Sequence, residues 1–136
     1  MRRAIIFDTT AVYALTTQPD RHYAQATQFW GEWLKSGGKA ILTDSVFAES
    51  MTLLKARHGA DVAITAGRKL RDSKVYQWTP LTPDDESQTW AVFQKYADKE
   101  WSFVDCGLFV LARRLARPIF SFDHHFEQMP EIKRVP

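Results

Sequence analysis

"AIIFDTTAVYAL", residues 4–15, is the stretch whose reading decides the fold. Its first four residues, Ala4 to Phe7, make a strand candidate that runs straight into Asp8, a pair of threonines and a second apolar run. A carboxylate at the end of a buried strand needs a partner, because burying an unpaired charge costs several kcal/mol. A helix N-terminus, a basic side chain or a metal ion would each serve. On local sequence alone Asp8 is a good N-cap for a helix starting near Thr9.

Short apolar runs alternate with helical patterns along the rest of the chain. "KAIL" (39–42), "KVYQW" (74–78) and "RPIFSF" (117–122) read as further strands, with "IKRV" (132–135) as a weaker fifth. Helical candidates fall near 10–16, 21–35, 45–57, 60–71, 83–98 and 103–115. The second ends at Gly37–Gly38 and the third at Gly59, where helix C-termini favour glycine. The fifth opens with "TPDD": Thr82 as N-cap, Pro83 in the first turn, and acids facing the positive helix end. Gly107 falls inside the last helix, where glycine costs roughly 1 kcal/mol. Strands separated by helices predict an α/β fold: a single domain over 1–136, with a mainly parallel sheet of four to five strands and helices on both faces. Ligands of such sheets bind beyond the carboxyl ends of the strands, and Asp8 lies at one of those ends.

The composition fits one soluble domain with one sizeable core: 136 residues, 45% hydrophobic and 25% charged. A formal charge of +2 is too small to indicate a polyanionic partner by itself. Cys106 is the only cysteine, which excludes an internal disulfide and points to a reducing compartment. The start of the chain lacks the apolar length and cleavage site of a leader, and no run approaches the roughly 18 apolar residues of a membrane span. The expectation is a cytoplasmic protein with no membrane association.

Four carboxylates carry the functional argument, and each has an ordinary local explanation. Asp8 fits an N-cap. Glu49 lies in "DSVFAESMTLLKARHG", with Thr52 and Leu53 rather than a base at i+3 and i+4, and flanks an apolar stripe where a solvated Glu is common. Asp105 completes a capping box with Ser102 at the head of a strongly apolar helix, and a capping carboxylate still has a lone pair to offer. Asp123 fits a turn after a strand, and His124 and His125 beside it belong to no CxxC or HExxH zinc pattern. Together they follow a rule. Asp8 and Asp123 follow strands, Asp105 starts a helix, and Glu49 sits one turn into the helix after another strand. A parallel sheet sets strand ends and helix starts along one edge, so all four can converge there. Such a pocket needs a cation to offset the repulsion, and Mg²⁺ or Mn²⁺ is the natural one for oxygen ligands.

The pattern resembles the PIN-domain ribonucleases, and more closely the VapC-like toxins of toxin–antitoxin pairs. Phe7 to Thr10 is similar to the family's first acidic motif, "VFAES" with Glu49 to the second, "DKEWSFVDC" (98–106) to the third and "IFSFDHHFEQ" (119–128) to the last. The resemblance implies a Mg²⁺- or Mn²⁺-dependent endoribonuclease. In it Asp8, Glu49 and Asp105 hold the metal, and Asp123 completes the cluster directly or through water. Thr10 and Ser102 are implied as hydroxyls that orient carboxylates. Cys106 reads as a packed side chain rather than a reactive thiol. The implied partners are an RNA substrate, a protein antitoxin and a second copy of the chain.

Basic clusters at Arg68, Lys69, Arg71 and Lys74, at Arg113, Arg114 and Arg117, and at Lys133 and Arg134 suit either phosphates or solvated helix faces. Trp30 and Trp33, three residues apart, read as core; if exposed they would suit a groove for an antitoxin segment or second subunit. Thr10 argues against an aspartyl-nucleophile phosphatase, which places a second Asp at that position, and no receiver-domain pattern is evident. Two alternatives stay open: an RNA-processing nuclease without an antitoxin, and an inactive module that binds RNA or protein.

Overall fold

A computed structural model describes residues 3–136; Met1 and Arg2, the start of the stretch read as lacking a leader, lie outside it. The elements run β1 (Ala4–Phe7), α1 (Thr9–Thr16), α2 (Tyr23–Lys35), β2 (Lys39–Leu42), α3 (Asp44–His58), α4 (Ala60–Asp72), β3 (Tyr76–Trp78), α5 (Pro83–Lys95), α6 (Phe103–Leu115), β4 (Ile119–Phe120), a short 3-10 helix (His124–Gln128) and β5 (Arg134–Val135). The five strands form one sheet in the order β3-β2-β1-β4-β5, every pair parallel. No helix among the described residues is long and apolar enough to cross a membrane.

The order reverses at β1, which pairs with β2 on one side and β4 on the other. That reversal opens the crevice at the carboxyl ends of β1 and β4, where α/β sheets bind ligands. One face of the sheet carries Phe7 and its register partner Phe120. Trp30 of α2 meets Phe7 edge-on at 4.9 Å, and Phe29 meets Phe120 at 4.8 Å. The crossover through α5 and α6 runs in the opposite sense, so right-handed connections put that pair on the other face. Cys106 to Ala112 of α6 are all buried there. Gly107 is the close approach between these helices: a Cβ would meet Leu81 Cδ1 at 3.1 Å and Thr89 Oγ1 at 3.8 Å. Its propensity cost is offset by the packing it permits.

Caps form where the sequence places them. Thr82 with Asp85, and Ser102 with Asp105, each make a reciprocal capping box. Asp85 does more than face the helix end. It is fully buried and takes a bidentate pair from Arg114 of α6, Nε to Oδ1 and Nη2 to Oδ2, both at 2.8 Å.

Several elements are shorter than the sequence patterns suggest: α2 starts at Tyr23, β5 covers only Arg134–Val135, and β3, β4 and α5 are also trimmed. Residues 73–76 turn before β3, with the Tyr76 N–H on the Ser73 carbonyl. Register pairing of β4 is confined to Ile119 and Phe120, although Ile6 N–H still bonds the Pro118 carbonyl and Ser121 N–H the Val135 carbonyl. Helix α5 stops at Lys95, and residues up to Lys99 close in turns. Trp30 and Trp33 pack, half-buried, against the core, with the Trp33 indole N–H donating to the Lys39 carbonyl at 3.0 Å.

Candidate active site

Asp8 follows the last residue of β1 and is 3% exposed. It caps α1 by accepting the Thr10 amide at 3.3 Å, so the local explanation holds. The cap is only part of its surroundings. Thr10 Oγ1 donates to the same oxygen, Oδ2, at 2.7 Å, and Ser121 Oγ donates to it from the end of β4 at 2.8 Å. Thr10 and Ser121 also touch each other at 3.1 Å, and the Phe122 amide donates to Thr10. Burial pushes the Asp8 carboxyl up to about 6; the two hydroxyls pull it back, and the nearby Asp105 charge pushes it further up.

Asp123 and Asp105 join through the residues around β4. The Asp123 amide donates to Ser121 Oγ at 2.9 Å, and Asp123 Oδ1 accepts the His125 amide at 2.9 Å, capping the 3-10 helix. His125 Nδ1 lies 3.2 Å from Asp105 Oδ2 and 3.3 Å from Asp123 Oδ1. That nitrogen must carry the hydrogen, because a bare ring nitrogen would face two acceptors. Asp105 Oδ2 also accepts the Ser102 backbone amide at 2.9 Å. Ser102 therefore orients Asp105 through its N–H, while its hydroxyl accepts the Asp105 amide at 3.0 Å.

Asp8, Ser121, Asp123, His125 and Asp105 thus form one linked unit across β1, β4 and α6. Glu49 is joined less directly. It is exposed on α3 and accepts the hydroxyl of Thr9, the residue next to Asp8. Among the described residues, the one group of three metal-ligating side chains with donor atoms within 4.8 Å of one another is Asp123, His124 and His125, and the four carboxylates do not close to that spacing.

On each of the four acids, the donors found among the described residues all go to one oxygen: Asp8 Oδ2, Glu49 Oε1, Asp105 Oδ2 and Asp123 Oδ1. Among the described residues the second oxygen of each takes no hydrogen bond. Oxygen donors held at one end and open at the other, one of them buried and resisting ionisation, fit a hard dication such as Mg²⁺ or Mn²⁺. The buried Cys106 thiol is pushed up to about 11, first by burial and then by Asp105, so it stays protonated at neutral pH.

Sequence reading did not single out Thr9, Ser121 or His125 as site residues. A usable signal existed for Ser121, which stands two residues before Asp123 as Asp8 stands two before Thr10. The basic clusters are also sorted. Arg114 is engaged by Asp85, and Arg134 by Glu127 and the Ser121 carbonyl.

The fold and site define a class, and comparison with known proteins agrees. The PIN domain family model matches residues 5–132. The chain belongs to the PIN-domain family. It is 30% identical over 124 residues to the 23S rRNA-specific endonuclease VapC20 of Mycobacterium tuberculosis, covering 90% of this chain and 91% of that one. The crystal structure of VapC20, described as a sarcin–ricin loop cleaving toxin, matches with a TM-score of 0.84 at 27% identity over 93% of this chain and 95% of that one. VapBC2 from Rickettsia felis, bound to a DNA fragment from its promoter, shares the fold at a TM-score of 0.70 and 12% identity over 97% of each chain.

Proposed function

We propose that this protein is a Mg²⁺- or Mn²⁺-dependent endoribonuclease and the toxin of a toxin–antitoxin pair. The observation that carries the reading is the open oxygen on each of Asp8, Glu49, Asp105 and Asp123 beside the crevice of the sheet. Asp8, Glu49 and Asp105 would hold the metal, with Asp123 completing the cluster. When bound, such an ion supplies an activated water and stabilises the departing oxygen of a phosphodiester. The chain's residues supply the alignment. Thr10 and Ser121 fix Asp8, the Ser102 amide and His125 fix Asp105, and Thr9 fixes Glu49. Cys106 is buried and protonated and supplies no nucleophile.

VapC20 acts on 23S rRNA, so structured ribosomal RNA, and the sarcin–ricin loop first, is the substrate class we assign. A cytoplasmic location goes with that substrate. A groove of about 870 Å³ lined by Leu15, Tyr23, Trp30, Leu34, Leu70 and Tyr76 offers an apolar seat for an antitoxin segment. The exposed rings of Trp90, Phe93 and Phe103 give a second copy of the chain a face to cover.

The test incubates the purified protein with 23S rRNA fragments and single-stranded RNAs in Mn²⁺, Mg²⁺ or EDTA. Asp8→Ala and Asp105→Ala run alongside. Metal-dependent cutting by the wild type alone is expected. Cutting in EDTA, or full activity in both variants, overturns the mechanism. A folded wild type that binds RNA and cuts none of it favours the inactive binding module.

A further inference from the structure

Trp78 is the last residue of β3 and pairs in register with Leu42, the last residue of β2. It therefore stands on the same carboxyl edge as Asp8, two strands away, a lateral offset of about 10 Å. The residue is 45% exposed. It is nonetheless held in place. Phe47 of α3, the helix that carries Glu49, meets it edge-on at 5.3 Å, and the Arg71 guanidinium lies 5.3 Å from the Trp78 ring and 5.4 Å from that of Phe47.

Arg68, Lys69 and Arg71 end α4 and Lys74 follows it; all four are exposed, and none has an acidic partner within ion-pair distance among the described residues. In the other basic clusters Arg114 is paired with Asp85 and Arg134 with Glu127. A fixed, half-open aromatic face with the Arg71 guanidinium beside it matches what single-stranded nucleic acid requires: a ring on which a base stacks and a cation for the adjoining phosphate.

We propose that Trp78 and Arg71 form a nucleotide subsite that stacks one unpaired base of the RNA, a nucleotide or two from the acidic crevice, and binds its phosphate. This rests on the ribonuclease reading above. It adds a positioning element on the Glu49 side of the crevice, and it predicts that the bound RNA is unpaired there.

The experiment measures fluorescence anisotropy of a labelled 12-nucleotide single-stranded RNA and of a fully paired RNA duplex. It uses an Asp8→Asn background that does not cut. Cleavage kinetics in Mg²⁺ use the otherwise unchanged chain. Trp78→Ala is expected to weaken single-strand binding roughly tenfold to a hundredfold and leave the duplex almost unaffected, while Trp78→Phe keeps most of the affinity. Arg71→Gln is expected to lower the slope of log affinity against log salt by about 0.7, one phosphate contact on a single strand. In kinetics KM rises and kcat stays. Should Trp78→Ala fail to fold, Trp78→Phe and the Arg71→Gln salt slope carry the decision. Single-strand binding within twofold of the parent in both Trp78→Ala and Arg71→Gln overturns the subsite. So does loss of a copurifying protein with RNA binding intact, which would assign the face to a protein partner. A wild type that cuts RNA with the KM of Trp78→Ala removes the subsite and leaves the nuclease. A wild type that binds single strands through Trp78 and cuts nothing removes the nuclease and leaves the subsite.

Discussion

Ser121 donates to Asp8 Oδ2 at 2.8 Å, joining the carboxyl ends of two adjacent strands from positions 113 residues apart. The bond fixes which way Asp8 presents its open oxygen. Ser121→Ala is expected to lower metal affinity or activity about 10- to 100-fold, the usual cost of losing a group that orients a ligand. Its thermal stability should fall by only about 1–2 kcal/mol, since the Asp123 amide also loses its acceptor. Cleavage rates across a Mn²⁺ titration check this; an unchanged titration would remove Ser121 from the site.

His125 stands between Asp105 and Asp123, and its removal leaves two acids facing each other without the shared hydrogen. His125→Ala should therefore weaken metal binding and slow cleavage by at least tenfold, with His125→Gln recovering part of both. Calorimetric Mn²⁺ binding is the measurement, and equal affinities in wild type and His125→Ala would contradict it.

The Asp8 carboxyl, raised by burial from 3.8 to about 6, makes the metal-free protein pH-sensitive. A carboxyl raised on folding contributes stability that is fully present below its unfolded value and is lost as pH rises through the folded one. Urea unfolding in EDTA should thus show about 3 kcal/mol lost from this group between pH 4 and pH 7. Asp8→Asn should abolish that slope, and Mg²⁺ at pH 7 should raise the melting temperature of the wild type alone. The same slope in Asp8→Asn would place its origin elsewhere.

Asp85 behaves oppositely. The Arg114 guanidinium holds its carboxyl below the usual range, so its contribution is present above pH 4 and lost as pH falls through the lower folded value. Arg114→Ala leaves a buried carboxylate unpaired between α5 and α6. The expected loss is about 2 kcal/mol, less than for a fully enclosed pair because the arginine reaches solvent. Acid-unfolding curves that coincide for wild type and Arg114→Ala would refute the pairing.

The sequence made legible what depends on near neighbours. The capping boxes at Thr82 and Ser102, the glycine end of α3 and the first two strands need information only a few residues away. Thr10 was legible for the same reason, lying two residues from Asp8. The functions of Ser121, His125 and Arg114 depend on partners 113, 20 and 29 residues distant, and no local pattern encodes those. Gly107 read as a local cost for the same reason, because Leu81 and Thr89 give it its purpose. Thr9 was hidden by its role in the opening of α1, since nothing in "DTT" says which threonine faces Glu49.

The reversal of strand order at β1 has a consequence in time. Asp8 leaves the ribosome more than a hundred residues before Ser121, Asp123 and His125. A growing chain that stops short of β4 has Asp8, Glu49 and Asp105 but lacks Ser121, which fixes Asp8, and Asp123 and His125. The acidic cluster therefore stays incomplete, and Asp8 unaligned, until that late segment emerges. By then, the groove walls contributed by α1, α2 and α4 are already made and open to an inhibitor.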